Sequence, residues 1–442
     1  MFDAALSPES RDVLRFMTAG SVDDGKSTLI GRLLYDSKGL MRDQIAAISK
    51  AKHARADAGE IDLALVTDGL ESEREQGITI DVAYRYFSTP QRAFVIADAP
   101  GHEQYTRNMV TAASTAELAI ILIDASRIVG KGLKPQTRRH AAIARLMGLQ
   151  VIVAINKMDL LDWSQDAFNE IRQGFERIAR TLDLEPLAYI PISAKAGDNV
   201  ARAGSAAWYR GPTLLDVLES APPRTASNDS PFRFPIQRVA RWGETDPDAR
   251  RGYAGRVESG SVRVGDEIIA APSLLPAKVR EIRTFDGPLD SAVAGQSVTL
   301  VLDRDLDLAR GDALGSADLE IARTFTADLC WLDTQAWQKG RRYFLRQGTR
   351  ATLATIDDIH FVREVTELAA VTGATALALN DIASVRIKAQ TPLLADPFDV
   401  SPATGAFVLI DPVTHQTAAA GMIREALDVQ PRQPTPDESY EI

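Results

Sequence analysis

A glycine-rich stretch near the N-terminus, Gly20–Thr28, constrains the fold of this chain more than any other feature. It reads GSVDDGKST and matches the pattern G-x-x-x-x-G-K-[ST]. An apolar, strand-like run precedes it, and residues 27–34 carry apolar side chains at helical spacing. A glycine turn between a strand and a helix exposes backbone N–H groups that bind phosphate at the positive end of the helix. The stretch therefore predicts a polyphosphate site, in which Lys26 contacts the terminal phosphates and Ser27 ligates Mg²⁺.

The composition is that of an ordinary globular protein with several domains. The chain has 442 residues, 45% of them hydrophobic and 25% charged, and a chain of this length usually folds into about three domains. Its single cysteine, Cys330, excludes an intrachain disulfide framework and a cysteine-rich metal site, and it indicates a cytoplasmic protein. No apolar run approaches the roughly 20 residues of a membrane span, so we expect no membrane contact. The net charge of −10 argues against nonspecific binding of nucleic acids.

Residues 1–220 alternate between strand and helix patterns. This alternation predicts an α/β domain with a doubly wound, mostly parallel six-stranded sheet that binds its ligand at the carboxyl ends of the strands. The predicted strands are Leu14–Ala19, Asp81–Phe87, Phe94–Asp98, Leu118–Asp124, Val151–Ile155 and Ala188–Ile192. Helical patterns between the later strands predict helices at Gln136–Met147 and Gln165–Leu182.

The remainder of the chain has the pattern of an all-β protein. Residues 221–235 are rich in Pro, Ser and Asn and predict a linker between domains. Short strands at close spacing, with turn residues between them, then predict two all-β barrel domains at 236–318 and 319–430. The polar, Pro-rich residues 431–442 predict a disordered tail.

A second motif, Asp98–His102 (DAPGH), follows the third predicted strand directly. A carboxylate at a strand end can hold Mg²⁺ through water, and the Gly101 N–H can meet a γ-phosphate as switch loops do. His102 is then positioned to orient an attacking water. Thr79 belongs to a further motif, Arg74–Asp81 (REQGITID), just before the second strand, and can supply a second hydroxyl to Mg²⁺.

The motif Asn156–Asp159 (NKMD) follows the fifth predicted strand and points to a guanine base. The Asp159 carboxylate can accept hydrogen bonds from the N1–H and the 2-amino group of guanine. Adenine has neither donor, so it would leave this carboxylate desolvated and unpaired. Asn156 can serve N7 of the base and connect back to the phosphate loop, and the Lys157 stem can lie over the base. Ser193–Lys195 (SAK) closes the base pocket after the sixth strand.

Five motifs in order, each at a strand end, predict that the chain binds GTP with Mg²⁺. We predict Lys26 and His102 as catalytic residues, and Ser27, Thr79 and, through water, Asp98 as metal ligands. The predicted GTP-binding residues are Gly20, Ser21, Val22, Asp23, Asp24, Gly25, Lys26, Ser27, Thr28, Asp98, Ala99, Pro100, Gly101, His102, Asn156, Lys157, Met158, Asp159, Ser193, Ala194 and Lys195.

Other conspicuous residues have simpler interpretations. Arg138, Arg139 and His140 lie on a helical pattern and are predicted to form a solvated helix face. Trp208 and Tyr209 are predicted to be a packing pair and not a ligand platform.

These motifs and the β-barrel pattern resemble the translational GTPase superfamily, in which a GTPase domain precedes two β barrels. Within it, the chain is similar to the GTPase subunits of bacterial sulfate adenylyltransferase. The distinguishing stretches are Gly20–Tyr35 (GSVDDGKSTLIGRLLY), Gln136–His140 (QTRRH), Trp208–Leu215 (WYRGPTLL) and Arg346–Arg350 (RQGTR). Translation elongation factors typically have His at the position of Asp24, and Gln-Thr-Arg-Glu-His at the position of Gln136–His140.

The resemblance implies a division of labour with a separate small adenylyltransferase subunit. That subunit would convert ATP and sulfate into adenosine 5′-phosphosulfate and pyrophosphate, and this chain would hydrolyse GTP to drive the synthesis. The absence of H-x-G-H and S-G-G-x-D-S patterns agrees with this expectation. Two alternatives stay open: an elongation-type GTPase that delivers aminoacyl-tRNA, and a scaffold that binds GTP without turnover.

Three stretches depart from the family pattern. Ser126–Pro135 is longer than the usual connection, Asp246–Arg251 is unusually polar, and Ile359–Leu368 matches weakly.

Overall fold

A computed structural model describes residues 12–37, 63, 81–222, 230–241, 251–364 and 368–430. The chain divides into two compact units. The first comprises Met1–Arg224 with Glu364–Ala369, and the second comprises Thr225–Arg363 with Ala370–Ile442. Thr79, the tail 431–442 and residues 246–250 of the polar stretch lie outside the described residues, so the predictions for them stay predictions.

The described residues of the first unit contain a six-stranded sheet in the order β2-β3-β1-β4-β5-β6. Strand β2 runs antiparallel to β3, and the other neighbours are parallel. The strands are β1 (Val13–Ala19), β2 (Ala83–Ser88), β3 (Ala93–Asp98), β4 (Leu118–Asp124), β5 (Gln150–Asn156) and β6 (Ala188–Pro191). Every residue of β4 is buried, as expected for a central strand covered on both faces. The predicted mostly parallel sheet is confirmed.

Helices connect these strands. They are α1 (Lys26–Asp36), α2 (Thr106–Thr115), α3 (Ala125–Ile128), α4 (Pro135–Leu146), α5 (Gln165–Leu182) and α6 (Leu214–Ser220). Helix α5 has the bounds that its apolar spacing predicted. Its Ser164 cap accepts a hydrogen bond from the Ala167 N–H, and its buried side chains recur at Phe168, Ile171 and Phe175.

The described part of the second unit contains two closed rings of six strands. In the first barrel the order β10-β15-β7-β8-β14-β11 closes because β10 pairs with β11. In the second barrel the order β17-β21-β22-β16-β20-β18 closes because β17 pairs with β18. The two predicted β barrels are therefore confirmed.

The strands of the first barrel and its hairpins are β7 (Arg233–Arg241), β8 (Arg251–Arg256), β9 (Ser261–Arg263), β10 (Glu267–Ala271), β11 (Leu275–Thr284), β12 (Gly287–Leu289), β13 (Ser291–Val293), β14 (Ser297–Leu302) and β15 (Ala313–Gly315). The second barrel contains β16 (Ile321–Trp331), β17 (Arg342–Gln347), β18 (Arg350–Arg363), β19 (Ala370–Val371), β20 (Ile382–Leu394), β21 (Ala406–Ile410) and β22 (Thr417–Ala426), with a short helix α7 (Pro402–Gly405).

Strand β7 begins earlier than the sequence suggested. Residues 221–235 were expected to be a linker, but Arg233, Phe234 and Pro235 already pair with β15. Pro235 lies at the end of the β7–β15 pairing, next to a bulge in β7. A residue without a backbone N–H is tolerated at such a position.

A buried arginine joins the two barrels. The Arg233 guanidinium donates to both carboxylate oxygens of Asp396, at 2.9 and 2.8 Å, and both side chains are 3% exposed. The Arg346–Arg350 stretch adds further contacts, since Thr349 Oγ1 donates to the Ile236 carbonyl (3.1 Å). The stretch noted in the sequence therefore has a structural role between the barrels.

Candidate nucleotide-binding site

The phosphate loop lies between β1 and α1, as its sequence predicted. Gly25 has a φ of +97°, a conformation that suits glycine, and leads directly into α1. The Lys26 ammonium donates to the carbonyl oxygens of Gly20 (2.8 Å) and Ser21 (3.1 Å). Burial lowers the pKa of Lys26, and the charge of Asp98 opposes that shift. Lys26 is thus held inside the loop, at its position in the first turn of α1.

The DAPGH motif lies against this loop. Asp98, the last residue of β3, is buried, and Thr18 Oγ1 donates to its Oδ1 at 3.4 Å. A Cβ atom at Gly101 would lie 2.4 Å from both the Gly20 oxygen and Lys26 Nζ. The Gly101 backbone therefore contacts the phosphate loop at a distance that only glycine allows.

His102 follows Gly101 and is exposed. Its ring centroid is 6.2 Å from that of Tyr105, in an edge-on arrangement. Ser27 is the second residue of α1 and is partly exposed. The structure therefore leaves both side chains open to solvent next to the phosphate loop, while the third predicted metal ligand, Thr79, is outside the described residues.

Asn156 connects the phosphate loop to the base-recognition motifs. This last residue of β5 is buried, and its Nδ2 donates to the Asp24 carbonyl at 2.8 Å. Its Oδ1 accepts a hydrogen bond from the Ala194 N–H at 2.9 Å. One amide side chain of the NKMD motif therefore connects the phosphate loop to the SAK stretch.

Lys157 reinforces the same junction. Its ammonium donates to the Asp23 carbonyl at 2.7 Å and to Asp124 Oδ2 at 2.8 Å. Burial alone would raise the pKa of Asp124, but hydrogen bonds from Lys157 and Ser126 outweigh burial and hold it below its ordinary value. Asp124 was not among the predicted residues. The signal was present, because Asp124 ends β4 in register with Asn156.

Asp159 lies in a single 3₁₀ turn, Met158–Leu161, directly after β5. Its side chain is partly exposed, and the structure gives its carboxylate no hydrogen-bond partner among the described residues.

The backbone of the SAK stretch is held by an arginine that was not predicted from the sequence. Arg32 of α1 donates to the carbonyls of Ala194 (3.3 Å) and Lys195.

Trp208 packs within the first unit, as predicted. Its indole Nε1 donates to the Trp163 carbonyl at 2.6 Å, and its ring lies 5.1 Å from that of Phe168. The contacts of Trp208 with Trp163 and Phe168 therefore support the turn that follows Asp159.

The prediction of a solvated face on α4 is wrong for Arg139 and His140. Arg139 is 9% exposed and His140 is fully buried. Gln136 links them, because its Oε1 accepts from Arg139 (2.8 Å) and its Nε2 lies 3.2 Å from His140 Nε2. Burial, with the nearby charges of Lys26 and Arg139, lowers the pKa of His140 to about 3. Helical spacing alone did not reveal this because the buried positions are polar.

No helix in the described parts of the chain is long and apolar enough to span a membrane. The Elongation factor Tu GTP binding domain family matches residues 11–224, and the GTP-eEF1A C-terminal domain-like family matches residues 324–424.

Three relatives match nearly the whole chain. Sulfate adenylyltransferase subunit 1 of Saccharophagus degradans is 45% identical over 95% of this chain and 88% of its own length. The protein of the same name from Chromobacterium violaceum is 48% identical over 94% of this chain and 86% of its own length. The bifunctional enzyme NodQ of Rhizobium sp. (strain N33) is 46% identical over 96% of this chain, which spans 65% of NodQ. The chain therefore belongs to the sulfate adenylyltransferase subunit 1 family and carries a GTP-binding domain of the elongation factor Tu type.

Proposed function

We propose that this chain is the GTPase subunit of a sulfate adenylyltransferase and that it hydrolyses GTP to drive the synthesis of adenosine 5′-phosphosulfate. The observation that carries the nucleotide assignment is the Asn156 junction, in which one buried amide holds both the phosphate loop and the SAK stretch. Such a junction couples recognition of the phosphates to recognition of the base. The names of the relatives support the sulfate chemistry.

Guanine selectivity is assigned to Asp159. Its carboxylate is partly exposed at the end of β5 and has no partner among the described residues, so it is free to accept the two guanine donors. The Lys157 stem would lie over the base, while its ammonium stays bound to Asp124. Ser193–Lys195 would close the pocket, with Arg32 fixing their carbonyls.

The residues beside Lys26 fit Mg²⁺. The Ser27 hydroxyl and the Asp98 carboxylate, the latter through water, would hold the ion, together with the hydroxyl of Thr79. These are the hard oxygen ligands that Mg²⁺ takes while keeping several waters. When bound, the ion would neutralise charge on the β- and γ-phosphates.

Hydrolysis would depend mainly on positioning and charge. Lys26 would bind the terminal phosphates with the ammonium that now donates to Gly20 and Ser21. The Gly101 N–H would donate to the γ-phosphate, since its backbone lies against the loop. His102 would orient the attacking water, which its exposed position permits.

The adenylyl transfer itself is assigned to a separate small subunit, with which this chain would form a heterodimer or a larger complex. No nucleic acid or membrane partner is proposed. We place the complex in the cytoplasm, in keeping with the single cysteine of the chain.

The test is a sulfate-dependent pyrophosphate assay with the purified chain, the small subunit and ATP. We expect slow GTP hydrolysis by the chain alone and much faster turnover in the complete mixture. Pyrophosphate release that ignores GTP would refute the sulfate assignment, and GTP-dependent retention of aminoacyl-tRNA on a filter would support the elongation-type alternative. GTP binding without any single-turnover hydrolysis would point to the scaffold.

A second experiment tests the base pocket. Asp159→Asn should weaken GTP binding at least about tenfold and favour xanthosine triphosphate, because the amide can donate to the xanthine oxygen. The matched control is Asp162→Asn, three residues further along, where the exposed aspartate has a φ of +46° that asparagine tolerates. An unchanged nucleotide preference in Asp159→Asn contradicts the assignment.

A further inference from the structure

The stretch Ser126–Pro135 is a defined structural element. It contains most of α3, whose Asp124 cap accepts from the Ser126 N–H at 3.0 Å. The buried Ile128 anchors it, and the Gly130 N–H donates to Glu170 Oε1 at 2.8 Å. The stretch is thus held by the core and by α5 before it reaches α4.

Two cations of this stretch contact the two aspartates of the phosphate loop. Lys134 Nζ lies 2.8 Å from Asp24 Oδ1, and Arg127 lies 3.3 Å from Asp23 Oδ2. The two pairs differ in burial. The Asp24 side chain is 1% exposed, whereas both members of the Arg127 pair are more than half exposed. An exposed pair contributes little, so the Lys134 pair carries the interaction.

The buried carboxylate of Asp24 requires a nearby positive charge to stay ionised. Its second carboxylate oxygen accepts the Ser21 N–H at 2.7 Å, which fixes the turn of the phosphate loop. Burial raises the pKa of Asp24, while the ammonium groups of Lys134 and Lys26 oppose that shift. If Lys26 is to bind phosphates, Lys134 is the remaining cation, among the residues that the structure describes, that contacts this carboxylate. An uncompensated carboxylate inside the loop would repel a polyphosphate.

We propose that Lys134 and Asp24 form a phosphate-loop clamp, in which Lys134 is a positioning residue that neutralises Asp24 and so sets how long a guanine nucleotide stays bound. The inference rests on the proposed GTP site. It assigns a role to the Ser126–Pro135 stretch, which brings the Lys134 ammonium to the loop from the start of α4. It also explains why an acidic residue at position 24 is compatible with phosphate binding.

The experiment measures the dissociation rate of a fluorescent GDP analogue from the full-length chain with Mg²⁺. Lys134→Met should accelerate dissociation at least about tenfold, as expected when one partner of a buried charge pair is removed. Lys131→Met makes the same change at an exposed lysine of the same stretch and should leave the rate within twofold of wild type. A Lys134→Met rate within twofold of wild type overturns the proposal.

Two further readouts separate charge neutralisation from a merely structural role. The acceleration in Lys134→Met should shrink as the pH is lowered, because burial raises the pKa of Asp24 and protonation of its carboxylate removes the uncompensated charge; a pH-independent acceleration counts against the proposal. In an Asp24→Asn background, Lys134→Met should change the rate less than twofold. A further tenfold acceleration there means that Lys134 does not act through Asp24, and this comparison stands even if the single variant does not fold.

Failure of the inference is distinct from failure of the proposed function. A wild-type chain that does not bind the GDP analogue refutes the nucleotide site itself. A wild-type chain that binds it, with a Lys134→Met variant that releases it at the wild-type rate, refutes only the clamp.

Discussion

The buried His140 should make the first unit sensitive to acid. Its pKa lies near 3, against an ordinary value of 6.5. Below pH 6.5 the unfolded chain therefore binds a proton at this residue that the folded chain does not. Above pH 6.5 this residue does not reduce the free energy of unfolding, and the free energy of unfolding decreases as the pH falls from 6.5 towards 3.

The size of the effect follows from that window. At pH 5 the solution is about 1.5 pH units below the ordinary pKa of histidine. The proton that only the unfolded chain binds should therefore lower the free energy of unfolding by about 2 kcal/mol between pH 7 and pH 5. The structure explains why the proton is excluded. His140 Nδ1 has no partner among the described residues, and its Nε2 faces the Gln136 amide, whose oxygen already binds Arg139.

The assay is amide hydrogen exchange of α4 in the full-length chain, corrected for the intrinsic pH dependence of exchange. It reports opening of the first unit alone, which a global denaturation curve of a two-unit chain does not. The comparison is with His140→Gln, which keeps an acceptor but cannot titrate. Protection in wild type should fall about 30-fold more between pH 7 and pH 5 than in the variant.

An exposed histidine provides the control. His415→Gln removes an exposed imidazole in the second unit and should leave the pH dependence of α4 exchange unchanged. Equal pH dependence in wild type and His140→Gln would refute the reasoning, since it would mean that His140 takes up its proton in the folded chain.

Two other predictions follow from close contacts. Gly101→Ala should slow single-turnover GTP hydrolysis about a hundredfold, because the added methyl would lie 2.4 Å from Lys26 Nζ and must displace the loop; an unchanged rate would show that this backbone is not near the reaction. Arg233→Met should destabilise the second unit by roughly 3–5 kcal/mol in thermal unfolding, because the buried Asp396 would lose its counter-ion and keep only the hydrogen bond from the Thr404 hydroxyl. Arg386→Met, at a more exposed pair, should cost no more than about 0.5 kcal/mol, and similar losses for both variants would contradict the argument.

The fold was predictable because its signals are local and periodic. Apolar runs marked the strands, and the bounds of α5 followed from one capping serine and a regular apolar spacing. The end of the linker was missed because the pairing of Arg233 with Gly315 depends on residues far apart in the chain.

The residues of the site also fall into those that the sequence could identify and those that it could not. Motif residues such as Asn156 could be named from the sequence because each follows a strand. Lys134 and Arg32 could not, since each reaches the site from an element whose approach depends on helix packing. The burial of His140 was hidden because a polar residue gives no hydrophobic signal. The roles of Thr79 and His102 stay predictions.

The Arg233–Asp396 pair has a consequence for motion in the second unit. Separating the barrels would break a bidentate ion pair whose guanidinium and carboxylate are both 3% exposed, and charge-assisted bidentate pairs are among the stronger hydrogen-bonded contacts in proteins. The two barrels should consequently move as a single rigid body. A displacement of one barrel would then carry the other with it, and bending within the second unit would be confined to segments outside the interface of the barrels.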